Sequence, residues 1–132
     1  MRLRADFQPK VPHYELRWQY DWGDLFVLPT LEEGFPAVVN QAQASGLPII
    51  STTVCERHLN PWTGTCGWSF APGDLAGLTQ RLIYADEHRP EVEAAARAAY
   101  ETSTAIPWST TAEQYIHQLQ HLLDSRTERP IV

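Results

Sequence analysis

Apolar positions fall into short blocks in the first half of the chain and into helical stripes in the second. Leu25-Phe26-Val27-Leu28, closed by Pro29, is apolar on both faces, which fits a buried parallel strand. Residues 30–34 make a loop, and Pro36, a residue favoured at the first helical position, predicts a helix start there. Val38, Val39 and Ala42 give that helix an apolar face, and Gly46 ends it as a left-handed cap. A second strand follows at Leu47-Pro48-Ile49-Ile50, then a long loop over 51–66, then a third strand at Gly67-Trp68-Ser69-Phe70. Asp74 is a good N-cap for a helix whose inward face is read as Leu75, Leu78, Leu82 and Ile83. Pro90 opens another helix, with Val92, Ala95, Ala96, Ala99 and Tyr100 as its face. Thr110-x-x-Glu113 reads as a capping box before a helix with Ala112, Tyr115, Ile116, Leu119, Leu122 and Leu123 at three-and-four spacing.

Residues 14–22 are ambiguous on pattern alone. Tyr14, Leu16, Trp18, Tyr20 and Trp22 alternate with polar residues, as in a half-buried strand. The pairs Leu16/Tyr20 and Trp18/Trp22 also have helical spacing. Periodicity by itself favours the strand slightly. The whole order, strands alternating with helices and ending in helices, describes an α/β unit with parallel strands and right-handed crossovers. Residues 1–13 read as an irregular segment and 125–132 as a polar tail.

Composition narrows the function classes. The 132 residues suit one domain, and the net charge of −6 argues against a dedicated nucleic-acid binder. Between Gly23 and Asp124 the imbalance is sharper, with four basic residues against twelve acidic ones. The middle of the chain therefore offers little positive charge to a polyanion, and of its arginines only Arg57 falls in a loop near the expected site. No run of eighteen apolar residues occurs, and the start lacks the apolar core of a signal peptide, so a cytoplasmic location is expected. Cys55 and Cys66 are expected to be reduced loop residues. With only His58 nearby they fall short of a four-ligand zinc site, so no metal is expected. His58 reads as a surface loop residue, and Trp62 and Trp68 as packing residues.

Chemistry concentrates between the first strand and the following helix. Ligands of open α/β sheets bind beyond the carboxyl ends of the strands, and residues 30–35 leave the first strand there and enter a helix N-terminus. Free N–H groups at such a terminus attract phosphate, and Gly34 lets backbone approach a ligand closely. Pro36 has no N–H, so the donors would be those of Gly34, Phe35, Ala37 and Val38. Glu33 cannot hold a phosphate but can accept hydrogen bonds from sugar hydroxyls.

Residues 24–51, from Asp24-Leu-Phe-Val-Leu-Pro-Thr through Glu33-Gly-Phe-Pro to Gly46-Leu-Pro-Ile-Ile-Ser, resemble the donor-binding core of GT-B-fold, group 1 (family 4) glycosyltransferases. That family shows an apolar strand ending in Pro and Ser or Thr, an E-G-F segment, a second Glu eight positions later on a helix, and G-x-P-[VI]-[VI]. The resemblance extends more loosely over 14–124, through Gly67-Trp-Ser-Phe-Ala-Pro-Gly-Asp-Leu and Trp108. It implies a three-layer Rossmann-like parallel sheet, incomplete at three strands, with C-terminal helices. It implies retaining transfer of a sugar from a nucleotide diphosphate sugar, with no cofactor or metal. Glu33 then takes the place that meets the donor sugar, as the catalytic position. Thr30, Gly34, Phe35, Pro36 and Ala37 border the substrate, and Gln41 stands where the second Glu would hold the ribose. Gln41 has no charge and only one acceptor oxygen, which leaves open a rival reading: a non-catalytic interaction or regulatory module with a degenerate donor site. The resemblance also turns residues 14–22 into a helix. The family's acceptor-binding N-terminal domain, and the loop that brings basic groups to the diphosphate, have no counterpart here. The chain accordingly reads as the C-terminal portion of such an enzyme, whether fragment, truncated product or split subunit, and inactive by itself. Its partners are then the nucleotide-sugar donor and a missing N-terminal domain or second chain, and an exposed sheet edge invites self-association.

Overall fold

A computed structural model describes residues 6–34, 36–56, 65–104 and 108–127. Three parallel strands, β1 (Phe26–Leu28), β2 (Ile49–Thr52) and β3 (Gly67–Phe70), form one sheet in the order β1-β2-β3. β2 is central: Ile49 stands opposite Phe26 on one side and Gly67 on the other. The helices are α1 (Leu16–Trp22), α2 (Ala37–Ala44), α3 (Thr53–Glu56), α4 (Leu75–Glu87), α5 (Arg89–Thr104) and α6 (Trp108–Thr127). A 3-10 turn over His13–Glu15 leads into α1.

Strand alternation sends neighbouring residues to opposite faces. Phe26, Leu28 and Ile49 pack with Val39, Ala42, Ala99 and Tyr20, so α1, α2 and α5 cover one face. Leu25, Val27, Ile50, Trp68 and Phe70 pack with Leu78, Ala85 and Val92 on the other face, beneath α4 and the start of α5. The expected three-layer α/β arrangement with three parallel strands is what forms.

Residues 14–22 are helical, not extended. Leu16 and Tyr20, one turn apart, are half-buried, whereas Tyr14, Trp18 and Trp22 are exposed. The apparent alternation came from aromatic residues on the outer side of a helix, where burial does not enforce any pattern. Trp18 instead carries the Arg17 guanidinium, 4.2 Å from its ring centroid.

Other boundaries shift for identifiable reasons. Pro36 is the N-cap of α2, and the helix proper begins at Ala37. Gly46 does adopt the left-handed conformation, at φ 73°. β2 runs two residues beyond the expected segment, because Ser51 pairs with Leu28 on one side and Ser69 on the other, and Thr52 pairs with Phe70, although both are polar. Both are fully buried. Asp74 caps α4 as expected, its Oδ1 accepting from the Gly77 N–H at 2.9 Å.

The inward face of α4 departs from expectation. Leu75, Leu82 and Ile83 are exposed, and only Leu78 of the four faces the sheet. The helix approaches through Gly77, where an added Cβ would lie 3.3 Å from Cβ of Phe70, and through Ala85. Small residues bring this helix close, and their lack of bulk hides them from a hydrophobicity pattern. α5 keeps its expected stripe at Val92, Ala95 and Ala99, with Tyr100 turned outward. α6 begins at Trp108, so Thr110 lies inside the helix and cannot be its N-cap. Its apolar side chains Tyr115, Ile116, Leu119, Leu122 and Leu123 are exposed rather than packed.

Candidate functional site at the end of β1

The loop after β1 is tied to the sheet by threonines. Thr52, at the C-terminal end of the central strand, donates its Oγ1 hydrogen to the Thr30 carbonyl at 2.8 Å. Thr30 Oγ1 in turn donates to the Glu32 carbonyl at 2.8 Å, closing a local turn. Glu33 follows, half-buried, and Gly34 is exposed. A Cβ placed on Gly34 would meet nothing within 4 Å. Neither intramolecular packing nor a left-handed backbone therefore demands glycine there, and the space in front of it is open. Pro36 is buried and its carbonyl accepts from the Val39 N–H at 2.9 Å. Ala37 and Val38 are exposed at the same helix end. Thr30, Glu33, Gly34, Pro36 and Ala37 thus lie together along one loop and helix start. Phe35, Arg57, His58 and Trp62 lie outside the described residues.

Gln41 sits farther along α2, half-buried, and its side chain is already engaged. Tyr20 OH donates to Gln41 Oε1 at 3.0 Å, and Gln41 Nε2 lies 3.4 Å from His13 Nε2. The sequence placed His13 in an irregular segment, and no spacing rule connects residue 13 to residue 41. Tyr20 is buried enough that desolvation raises its phenol above the ordinary tyrosine value of about 10. A raised acid pKa means that the folded state holds this proton more tightly than the unfolded chain does. The contribution is complete below about pH 10 and is lost as pH climbs through the raised value. Unfolding measured from about pH 8 to 11 should show stability falling above pH 10. Tyr20→Phe should flatten that part of the curve.

Of the two thiols only Cys55 leaves the expected loop, for α3, whereas Cys66 stays in the turn before β3. Cys55 on α3 and Cys66 just ahead of β3 are both free and fully buried in the apolar cluster below α2. Cys66 Sγ lies 3.5 Å from the Thr102 hydroxyl. Among the described residues no group of three or more His, Cys, Asp or Glu side chains could hold a metal ion. Trp68 is a packing residue, its ring meeting Tyr84 edge-on with centroids 5.8 Å apart.

The model of the family described as "Glycosyl transferases group 1" matches residues 4–87, the stretch that contains β1, the loop, α2, β2 and β3. The chain belongs to this family. D-inositol 3-phosphate glycosyltransferase of Frankia alni is 30% identical over 122 residues, covering 89% of this chain and 29% of that protein. Sulfoquinovosyl transferase of Arabidopsis thaliana is 30% identical over 109 residues, covering 80% and 21%. Sucrose-phosphate synthase from Thermosynechococcus elongatus superposes with a TM-score of 0.77 at 21% identity, over 91% of this chain and 30% of that one. That likeness confirms the GT-B-type α/β fold of a group 1 glycosyltransferase. The chain spans less than a third of the length of each of these three proteins. Among the described residues no helix is long and apolar enough to cross a membrane.

Proposed function

We propose that the chain contributes the donor side of retaining glycosyl transfer from a nucleoside diphosphate sugar. The observation that carries this reading is the open space before Gly34 and the exposed start of α2, at the C-terminal end of β1 and within the family match. On this reading the Gly34, Phe35 and Ala37 N–H groups receive the leaving diphosphate and stabilise charge as the glycosidic C–O bond breaks. Thr30 and Pro36 shape the same rim. Glu33 accepts hydrogen bonds from the donor sugar. The incoming nucleophile is an acceptor hydroxyl held by a further domain or a second chain, so this chain alone is expected to show no turnover. The reading needs no metal, and its location is cytoplasmic.

The hold of Tyr20 on Gln41 Oε1 favours a rival reading. It is that the site is degenerate and the chain an interaction module. Calorimetry separates the two. Millimolar UDP or GDP should give binding heat, weakened about tenfold or more in Glu33→Ala if a charged-group hydrogen bond to the sugar is lost and the intact nucleotide sugar is titrated. No heat from either nucleotide or its sugar, with or without a partner chain, leaves the interaction module as the surviving reading.

A further inference from the structure

The Tyr20–Gln41–His13 contacts form a directed chain, and its direction follows from the atoms that meet. The Tyr20–Gln41 contact is the shorter, at 3.0 Å, and suits a phenol O–H donating to an amide oxygen. The longer contact, at 3.4 Å, joins the amide nitrogen to His13 Nε2. An amide NH2 only donates, so His13 Nε2 must accept, and a neutral ring then carries its proton on Nδ1. His13 is exposed, and among the described residues no hydrogen-bond partner meets its Nδ1.

Tyr20 and Asp24 share a groove with Ser45 and Leu47, so the end of α1 lies beside the end of α2. The 3-10 turn that carries His13 precedes α1 and meets α2 at Gln41, one turn along that helix from Ala37.

We propose that Tyr20 and Gln41 are positioning residues that hold His13 as its Nδ1–H tautomer, and that His13 Nδ1–H, rather than the Gln41 amide, meets a ribose oxygen of the nucleoside diphosphate. The proposal rests on the donor-site reading above. It replaces an acceptor at the ribose position with a donor, supplied from a segment outside the central motif. Gln41 serves the site by turning the imidazole, and Tyr20 by fixing which end of the amide faces it.

Long-range proton–nitrogen correlation on the full 132-residue chain with 15N-labelled histidine reads the tautomer directly, at about pH 8.5, above the ordinary imidazole range. His13→Ala assigns the signal. The wild type should show Nδ1–H at His13, and Gln41→Leu should move it toward Nε2–H. Millimolar UDP or GDP should then shift the His13 ring together with the Gly34 and Ala37 amides. His13→Ala should weaken the titration about three- to tenfold, the usual effect of one neutral hydrogen bond. An Nε2–H wild type overturns the relay. Shifts at Gly34 and Ala37 with an unmoved His13, and unchanged affinity in His13→Ala, overturn the ribose contact but leave the donor site standing. No shift anywhere with either nucleotide overturns the donor reading itself and the ribose contact with it.

Discussion

Gly67→Ala is expected to cost about 3 kcal/mol or more of folding stability, at the upper end of what overpacking a core does. The position is the first residue of β3 and stands directly opposite Ile49 in the parallel ladder. A Cβ there would overlap the Ile49 carbonyl oxygen and fall 2.7 Å from its N and C atoms. The obstacle is main chain, not a side chain that can swing away. It belongs to the central strand, held by β1 on one side and by the Ile49 N–H to Cys66 carbonyl bond of 3.0 Å on the other. Relief would require opening the ladder at Ile49, a fully buried residue of the core. Against a typical total of 5–15 kcal/mol, such a loss leaves a marginal or unfolded chain. Denaturant unfolding monitored by circular dichroism gives the number. Gly34→Ala is the comparison, expected within about 0.5 kcal/mol of wild type because its Cβ enters open space. Equal midpoints for the two variants would refute the packing argument.

Gly67 also illustrates what the sequence made legible. The third strand could be placed over 67–70 from Trp and Phe alternating with small residues. That its first residue had to lack a Cβ depends on which strand lies alongside, a matter of sheet order. The same division runs through the chain. Runs of aliphatic residues at 25–28 and 47–50 revealed the parallel strands, because strands covered on both faces leave an apolar block in the sequence. Ser51 and Thr52 escaped because polar side chains near a strand end look like the beginning of a loop. Leu75, Leu82 and Ile83 misled because an apolar residue signals burial only where a neighbour exists to cover it, and α4 approaches through Gly77 instead. The tract 30–37 was legible only as a candidate site, through its motif. The engagement of Gln41 by Tyr20 and His13 was not, since it joins residues 21 and 28 positions apart.

Thr52→Val should show how the sheet holds that site. The substitution keeps size and β-branching and removes one hydroxyl, so its cost isolates the bond to the Thr30 carbonyl. Thr52 is fully buried, and its Oγ1 is 2.8 Å from that carbonyl. A methyl group in the same place faces the carbonyl oxygen with nothing to donate, at a cost of about 1–3 kcal/mol for an orphaned partner. The second consequence is local. Thr30 begins the turn that its own hydroxyl closes onto Glu32, and this turn delivers Glu33 and Gly34 to the start of α2. Without the Thr52 anchor, the turn is joined to β1 only through Pro29 and Thr30 themselves, and its opening free energy falls with the lost bond. Amide hydrogen exchange at residues 32–34 should therefore accelerate by about fivefold or more, in step with a loss of at least about 1 kcal/mol. Exchange in the α4 interior should change only as far as global unfolding does. Thr52→Ser, which restores the donor without the methyl, should recover slow exchange in the loop even if packing keeps its global stability below wild type. Fast exchange in Thr52→Ser, or slow exchange in Thr52→Val, would place the anchor elsewhere. The expected pattern ties the geometry of the candidate donor site to a buried hydroxyl in the central strand, outside the motif that marks the site in the sequence.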